Sequence, residues 1–176
     1  MPGETGQVRV EATVGATVAS LWRAWTTSQG AETFFAERAN IDLRVGGPYE
    51  IFFNQADERM STKGRKVLSY EPERMVSFEW NLPLDEFPEL KNSLTWVVVD
   101  FTPLDASHTR VTVTQLGLKA GRVWERAARH MQQGWSELAE RLKARFDSGP
   151  IDWAHQKMMW QARVNTVARS KGAAGQ

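Results

Sequence analysis

Apolar and polar positions alternate along much of the first two thirds of this chain, and then the pattern changes to a helical period. In residues 7–14, Val8, Val10, Ala12 and Val14 recur at every second position, which predicts a strand with one buried face. A short helix is predicted from Thr17, whose hydroxyl suits the free amides of a first turn, with Val18, Leu21, Trp22 and Trp25 on one stripe. Ser28 is expected to cap a second short helix ending near Phe34 and Phe35. Alternation returns over residues 40–45, breaks at Gly46-Gly47-Pro48, and resumes with Tyr49, Ile51 and Phe53. Further strands are predicted over residues 64–71 and 75–81, separated by Pro72, and over 93–101 and 109–116, joined by a turn at 103–107. Residues 82–91, rich in proline and acidic side chains, read as a loop. The apolar run LTWVVV is expected to be buried on both faces or otherwise covered, because an exposed run of this kind promotes aggregation.

From residue 119 to about 146 the period becomes helical. Trp124, Ala128, Met131, Trp135, Leu138, Leu142 and Phe146 are spaced 4, 3, 4, 3, 4 and 4, one continuous stripe, and Gly149-Pro150 stops it. Trp153, Trp160, Val164 and Val167 fit the face of an additional helix, and the last residues, SKGAAGQ, read as a frayed tail. Consecutive strands on short turns favour an antiparallel sheet, and one long helix must then cover one of its faces. The predicted class is α+β: six to seven antiparallel strands around a long C-terminal helix, with two short helices after the first strand. The predicted division is a domain over residues 1–148 and a helical extension over 149–176.

Composition narrows the chemistry. Of 176 residues, 41% are hydrophobic and 24% charged, a globular balance. There is no cysteine, which excludes disulfides, thiolate nucleophiles and thiolate-held metals. The three histidines, His108, His130 and His155, are too far apart for a local metal motif, so neither metal nor cofactor is expected. A net charge of +1 gives no support for nucleic-acid binding. That total hides an asymmetry. Residues 1–118 carry 11 basic and 16 acidic side chains, a net of −5, and residues 119–176 carry 11 and 5, a net of +6. This reads as solvated faces of a basic helix and an acidic sheet. MPGETGQVRV has no apolar h-region and no apolar run approaches a membrane span, so the expected location is cytoplasmic.

No phosphate loop, GxSxG elbow or HExxH occurs, and no catalytic residue is assigned. Glu79 and Asp100 alternate against apolar neighbours and are expected on the solvent face. The aromatics are more informative: eight Trp and eight Phe against two Tyr supply many large flat side chains. Alternation puts Tyr49, Ile51 and Phe53 on one side of a strand, Phe78 and Trp80 on one side of the next, and Val99 and Phe101 likewise. Met131 and Trp135 project from the helix expected to cover that face. These nine side chains are the candidate ligand-binding set, around an apolar cavity between sheet and helix.

The elements Leu21-Trp22, Gly46-Gly47-Pro48-Tyr49, Gly64 with Val67, Glu71-Pro72, Val76-Ser77-Phe78-Glu79-Trp80, and Gly134-Trp135 followed by Leu138 and Leu142, taken in order, resemble the START-like, helix-grip superfamily. The branch they are most similar to is that of homologues of the activator of the heat-shock protein 90 ATPase, over about residues 7–146. The resemblance implies a seven-stranded antiparallel sheet gripping the long helix, with a cavity between them. Members of the superfamily include lipid carriers, polyketide cyclases, hormone receptors and co-chaperones. Pro48 and the extra helix near 151–169 depart from the family pattern.

Three functions follow as expectations. The first is a non-enzymatic carrier or sensor of a small hydrophobic molecule. The second is a cyclase- or hydrolase-type enzyme, for which Tyr49, His130 and Gln133 are the available polar groups. The third is an interaction protein: a co-chaperone, or a homodimer formed through Trp153, Trp160, Val164 and Val167.

Overall fold

Strand β1 (Gly6–Val14) opens the computed structural model, which describes residues 6–54 and 56–173. Helices α1 (Val18–Thr26) and α2 (Ser28–Ala31) follow, then β2 (Arg38–Ile41), β3 (Tyr49–Phe52), β4 (Val67–Glu71), β5 (Met75–Asn81), β6 (Leu94–Pro103), β7 (Thr109–Leu118), α3 (Arg122–Ser148) and α4 (Trp153–Ala173). Thr17 caps α1 by accepting from the Ser20 amide at 3.2 Å. Thr27, one residue ahead of the expected Ser28, caps α2 through the Gly30 amide at 3.0 Å.

The strands are antiparallel. Five form one sheet in the order β1-β7-β6-β5-β4, and β2 with β3 forms a second. Bridges between Pro48 and Lys66 and between Phe52 and Ser61 join the second sheet to the segment around β4. Helix α3 lies across the inner face against β1 and β7, and its Trp124, Ala127, Met131, Trp135, Leu138 and Leu142 are buried. This is the helix-grip architecture that the family resemblance implies, with the expected seven strands divided between a five-stranded and a two-stranded sheet.

Three local expectations are corrected. The strand expected over 40–45 ends at Ile41, because the chain turns there: the Arg44 amide donates to Asp42 O and the Gly47 amide to Arg44 O, both at 2.8 Å. Gly46 makes that turn with a φ of +79°, and Val45 is left exposed. Strand β6 is covered on one face only. Thr95, Val97, Val99 and Phe101 point inward, whereas Leu94 and Trp96 face out. The Trp96 ring instead lies against Gly117 of β7, which has a φ of +87°; a Cβ there would come within 2.6 Å of the indole. The segment expected as a loop over 82–91 buries Leu82, Phe87 and Leu90 and forms a 3-10 turn at Pro88–Leu90.

The extension is helical to Ala173, so residues 170–173 are not frayed, and 174–176 lie outside the described residues. Its root is tied to the domain. The Ile151 amide donates to Thr33 O at 2.9 Å, the Trp153 indole donates to Glu32 O at 2.7 Å, and Lys157 pairs with Glu37. Beyond that root α4 stands in solvent, with no residue fully buried. Among the described residues, no helix is long and apolar enough to cross a membrane.

Candidate functional site

The site grows out of a polar chain inside an apolar core. Gln115 of β7 occupies an inward position and is fully buried, as is Thr95 on the neighbouring strand β6. A buried amide must find partners or destabilise the fold. Gln115 finds them in two directions. Its Oε1 accepts from the Trp135 indole N–H at 2.8 Å, and its Nε2 donates to Thr95 Oγ1 at 2.9 Å. Thr95 in turn donates to the backbone carbonyl of Trp80, its partner across the ladder, at 2.7 Å. The chain therefore runs from one tryptophan to the other and couples α3 to three strands. It fixes the direction in which the Trp135 indole N–H points.

Against that fixed indole the other rings assemble. Trp80 and Trp135 have centroids 4.9 Å apart, and Phe35, just past α2, stacks on Trp80 at 5.8 Å and meets Trp135 edge-on at 6.1 Å. Phe53, beyond the end of β3, meets Trp80 edge-on at 6.0 Å and is partly exposed. These four rings, with Met131 and Leu138 of α3, wall a cleft of about 550 Å³ between the sheet and α3. That volume suits a small organic molecule. Trp160, two-thirds exposed on α4, borders the cleft at its outer side.

Of the nine candidate residues, the structure brings Phe53, Trp80, Met131 and Trp135 to the cleft. The other five pack into the core away from it. Tyr49 stacks on Phe78 at 3.8 Å with planes 7° apart, and its hydroxyl donates to Trp25 O at 2.8 Å. Burial pushes the Tyr49 phenol pKa well up, so it is a neutral donor committed to the fold. Ile51 and Val99 are fully buried, and Phe101 is covered edge-on by Trp22 at 5.7 Å. Residues not singled out from the sequence as site residues complete the cleft: Phe35, Leu138, Gln115 behind the wall, and Arg59, Glu86 and Arg141 on the rim, where the expected His130 also lies.

The rim carries three basic side chains, Arg59, His130 and Arg141, with Asp85, Glu86 and Glu137 among them. His130 Nδ1 lies 2.9 Å from Glu86 Oε2, a partner from the 82–91 segment, and its ring meets the buried Phe87 edge-on at 5.6 Å. Arg59 is held by Asp57 through two contacts of 2.9 and 2.8 Å. Arg141 of α3 is half-buried and donates to two main-chain carbonyls, Phe34 O at 3.2 Å and Phe35 O at 3.4 Å. Burial lowers its pKa from the ordinary arginine value, only partly countered by the charge of Glu137. Gln133, the third polar candidate, is exposed and donates to Glu137 at 3.1 Å, outside the cleft. Past Asn81 and Leu84 the cleft continues into a more polar groove of about 360 Å³ that includes Arg65 and Lys91. Among the described residues, no group of three or more His, Asp or Glu is arranged to hold a metal ion.

An antiparallel sheet gripping one long helix, with an aromatic cleft between the two, defines a helix-grip protein. Comparison with known proteins narrows this class. The family described as Activator of Hsp90 ATPase homolog 1-like protein matches residues 15–147, and the chain belongs to that family. The match stops at the end of α3, so α4 lies outside it. Among solved structures, the chain is similar to protein MLL2253 from Mesorhizobium loti, with a TM-score of 0.66 at 23% identity over 83% of this chain and 100% of that one. It is also similar to the Aha1 dimer from Colwellia psychrerythraea (0.61, 17%, 82% and 98%). A third similar structure is DynU16, a protein in the dynemicin biosynthetic locus (0.60, 21%, 82% and 48%). At these identities the likeness concerns the fold. No curated protein matches the chain.

Proposed function

We propose that this protein binds a small, flat, apolar or aromatic molecule in the cleft between the sheet and α3. One observation carries the reading: Phe35, Phe53, Trp80 and Trp135 surround a single cleft of about 550 Å³, and the orientation of Trp135 is set by the hydrogen bond to Gln115. Each aromatic contact with a planar ligand contributes about 0.5–1.5 kcal/mol beyond its area, and pre-set rings lose little freedom on binding. Extraction of the freshly purified protein followed by mass spectrometry tests the proposal. A co-purifying organic molecule, absent from a Trp80→Ala preparation, is expected. Clean extracts, together with no change in tryptophan fluorescence across a panel of bicyclic aromatics, would refute it.

A second reading rests on the His130–Glu86 pair at the cleft edge. A carboxylate on Nδ1 orients an imidazole and leaves Nε2 as a general base, the group that a cyclase- or hydrolase-type reaction requires. Conversion of a bound ligand that stops in His130→Gln, with binding retained, separates catalysis from carriage. A co-chaperone role is the remaining alternative, and the ATPase rate of an Hsp90 with and without this protein decides it. Of the stripe expected to make a dimer, Trp153 is instead held in cis by Glu32 O, and we assign the remaining exposed Trp160, Val164 and Val167 to self-association. Removal of residues 150–176 is expected to lower the sedimentation coefficient by more than the lost mass accounts for.

A further inference from the structure

Arg141 is the group on the cleft wall that the apolar reading leaves without a purpose. Buried charges are normally paired, because desolvation is otherwise uncompensated. Arg59 has Asp57 and His130 has Glu86, but among the described residues no carboxylate comes within ion-pair distance of Arg141. Its neighbour one turn back on α3, Glu137, accepts from Gln133 instead. The bonds to Phe34 O and Phe35 O use two of five guanidinium donors and supply no full countercharge. Those same bonds hold the guanidinium beside Phe35, at one end of the aromatic wall.

Each end of the cleft carries a basic group of α3, and Glu137, one turn from Arg141, also borders the cleft without forming an ion pair with it. His130 and Arg141 are both on α3 and both border the cleft, eleven residues apart, or roughly 16 Å at about 1.5 Å per residue. Asp85 and Glu86 gather at the His130 end. The aromatic rings lie between the two ends. We infer that the ligand is an aromatic or apolar carboxylate whose acid group is the missing counter-ion of Arg141, seated with its ring against Trp80 and Trp135 and its head toward α2. This inference rests on the proposed binding function and adds the polarity and orientation of the ligand. An acid head shortens and strengthens the hydrogen bonds Arg141 can make, and a guanidinium presents its donors in the fork that matches a carboxylate.

The test uses the full chain and a matched pair of probes, 2-naphthoate and 2-naphthamide, titrated at neutral pH with quenching of tryptophan fluorescence as the signal. The wild-type protein is expected to prefer naphthoate by at least tenfold, about 1.4 kcal/mol. In Arg141→Gln that preference is expected to fall below threefold, and in Arg141→Lys it is expected to be intermediate, since the charge remains and the fork is lost. Equal wild-type affinity for the two probes would overturn the carboxylate assignment and leave the aromatic cleft standing. The wild-type comparison decides this point even if the variants fold poorly. A preference that survives in Arg141→Gln would move the head group to the neighbouring groove around Arg65 and Lys91 and likewise overturn it. Binding of neither probe would remove the carboxylate assignment and, with it, the binding function it rests on.

Discussion

Replacing Gln115 by leucine removes the middle of the polar chain while nearly keeping its volume. In the wild type, Gln115 satisfies the Trp135 N–H at 2.8 Å and the Thr95 hydroxyl oxygen at 2.9 Å, all in the buried core. Thr95 keeps its own donated bond to Trp80 O in the variant. The Trp135 N–H keeps nothing, and an orphaned buried donor costs about 1–3 kcal/mol. Leucine recovers part of this through apolar burial, which leaves a net loss of about 2 kcal/mol. At 2–4 °C per kcal/mol for a chain of this size, Gln115→Leu is expected to lower Tm by about 4–8 °C. Urea denaturation followed by far-UV circular dichroism measures the loss directly. The same substitution in a Trp135→Phe background has no indole donor to orphan, so its cost is expected to drop by about 1 kcal/mol or more. A loss below about 0.5 kcal/mol, or the same loss in both backgrounds, would show that the chain does not hold the cleft wall in place.

Two more perturbations probe the frame around the site. Gly117→Ala forces an L side chain into a φ of +87° and drives its Cβ to 2.6 Å from the Trp96 ring, so a loss of about 1–3 kcal/mol in urea is expected. Adding Trp96→Ala is expected to relieve the clash but not the backbone strain, and a cost unchanged by that second substitution would deny the contact. In the β6–β7 turn, the Ser107 amide and then the His108 ring hold the exposed Asp105 carboxyl at a pKa of about 2, below its ordinary 3.8. The stabilisation this lends the turn is complete above the ordinary value and disappears as pH falls from there through about 2. Carbon-detected NMR titration of the Asp105 carboxyl is the check, and a midpoint near 3.8 would contradict the hydrogen-bonded turn.

The sequence by itself determined the elements whose burial follows a single period. The spacing of Trp124, Met131, Trp135, Leu138 and Leu142 specifies a helix with one apolar face whatever it packs against, and β1 and β7 read correctly because a period of two survives only when one face is buried. Gln115 went unread, although it falls in step with the buried Thr109, Val111 and Val113. Its register is a signal that could have marked a buried amide, but nothing in it names the partners. Errors came where local chemistry competed with the alternation, as in the turn that ends β2 at Ile41 and in the outward face of β6, which is relieved by the Trp96–Gly117 contact. What only the tertiary structure decided is the site. Phe35 meets Trp80 across 45 positions of sequence, Glu86 meets His130 across 44, and Arg141 reaches back to Phe34 across 107. Periodicity reports which way a side chain faces. Which side chains then meet depends on how the chain closes distant segments upon one another, and that is set by the packing of the whole core.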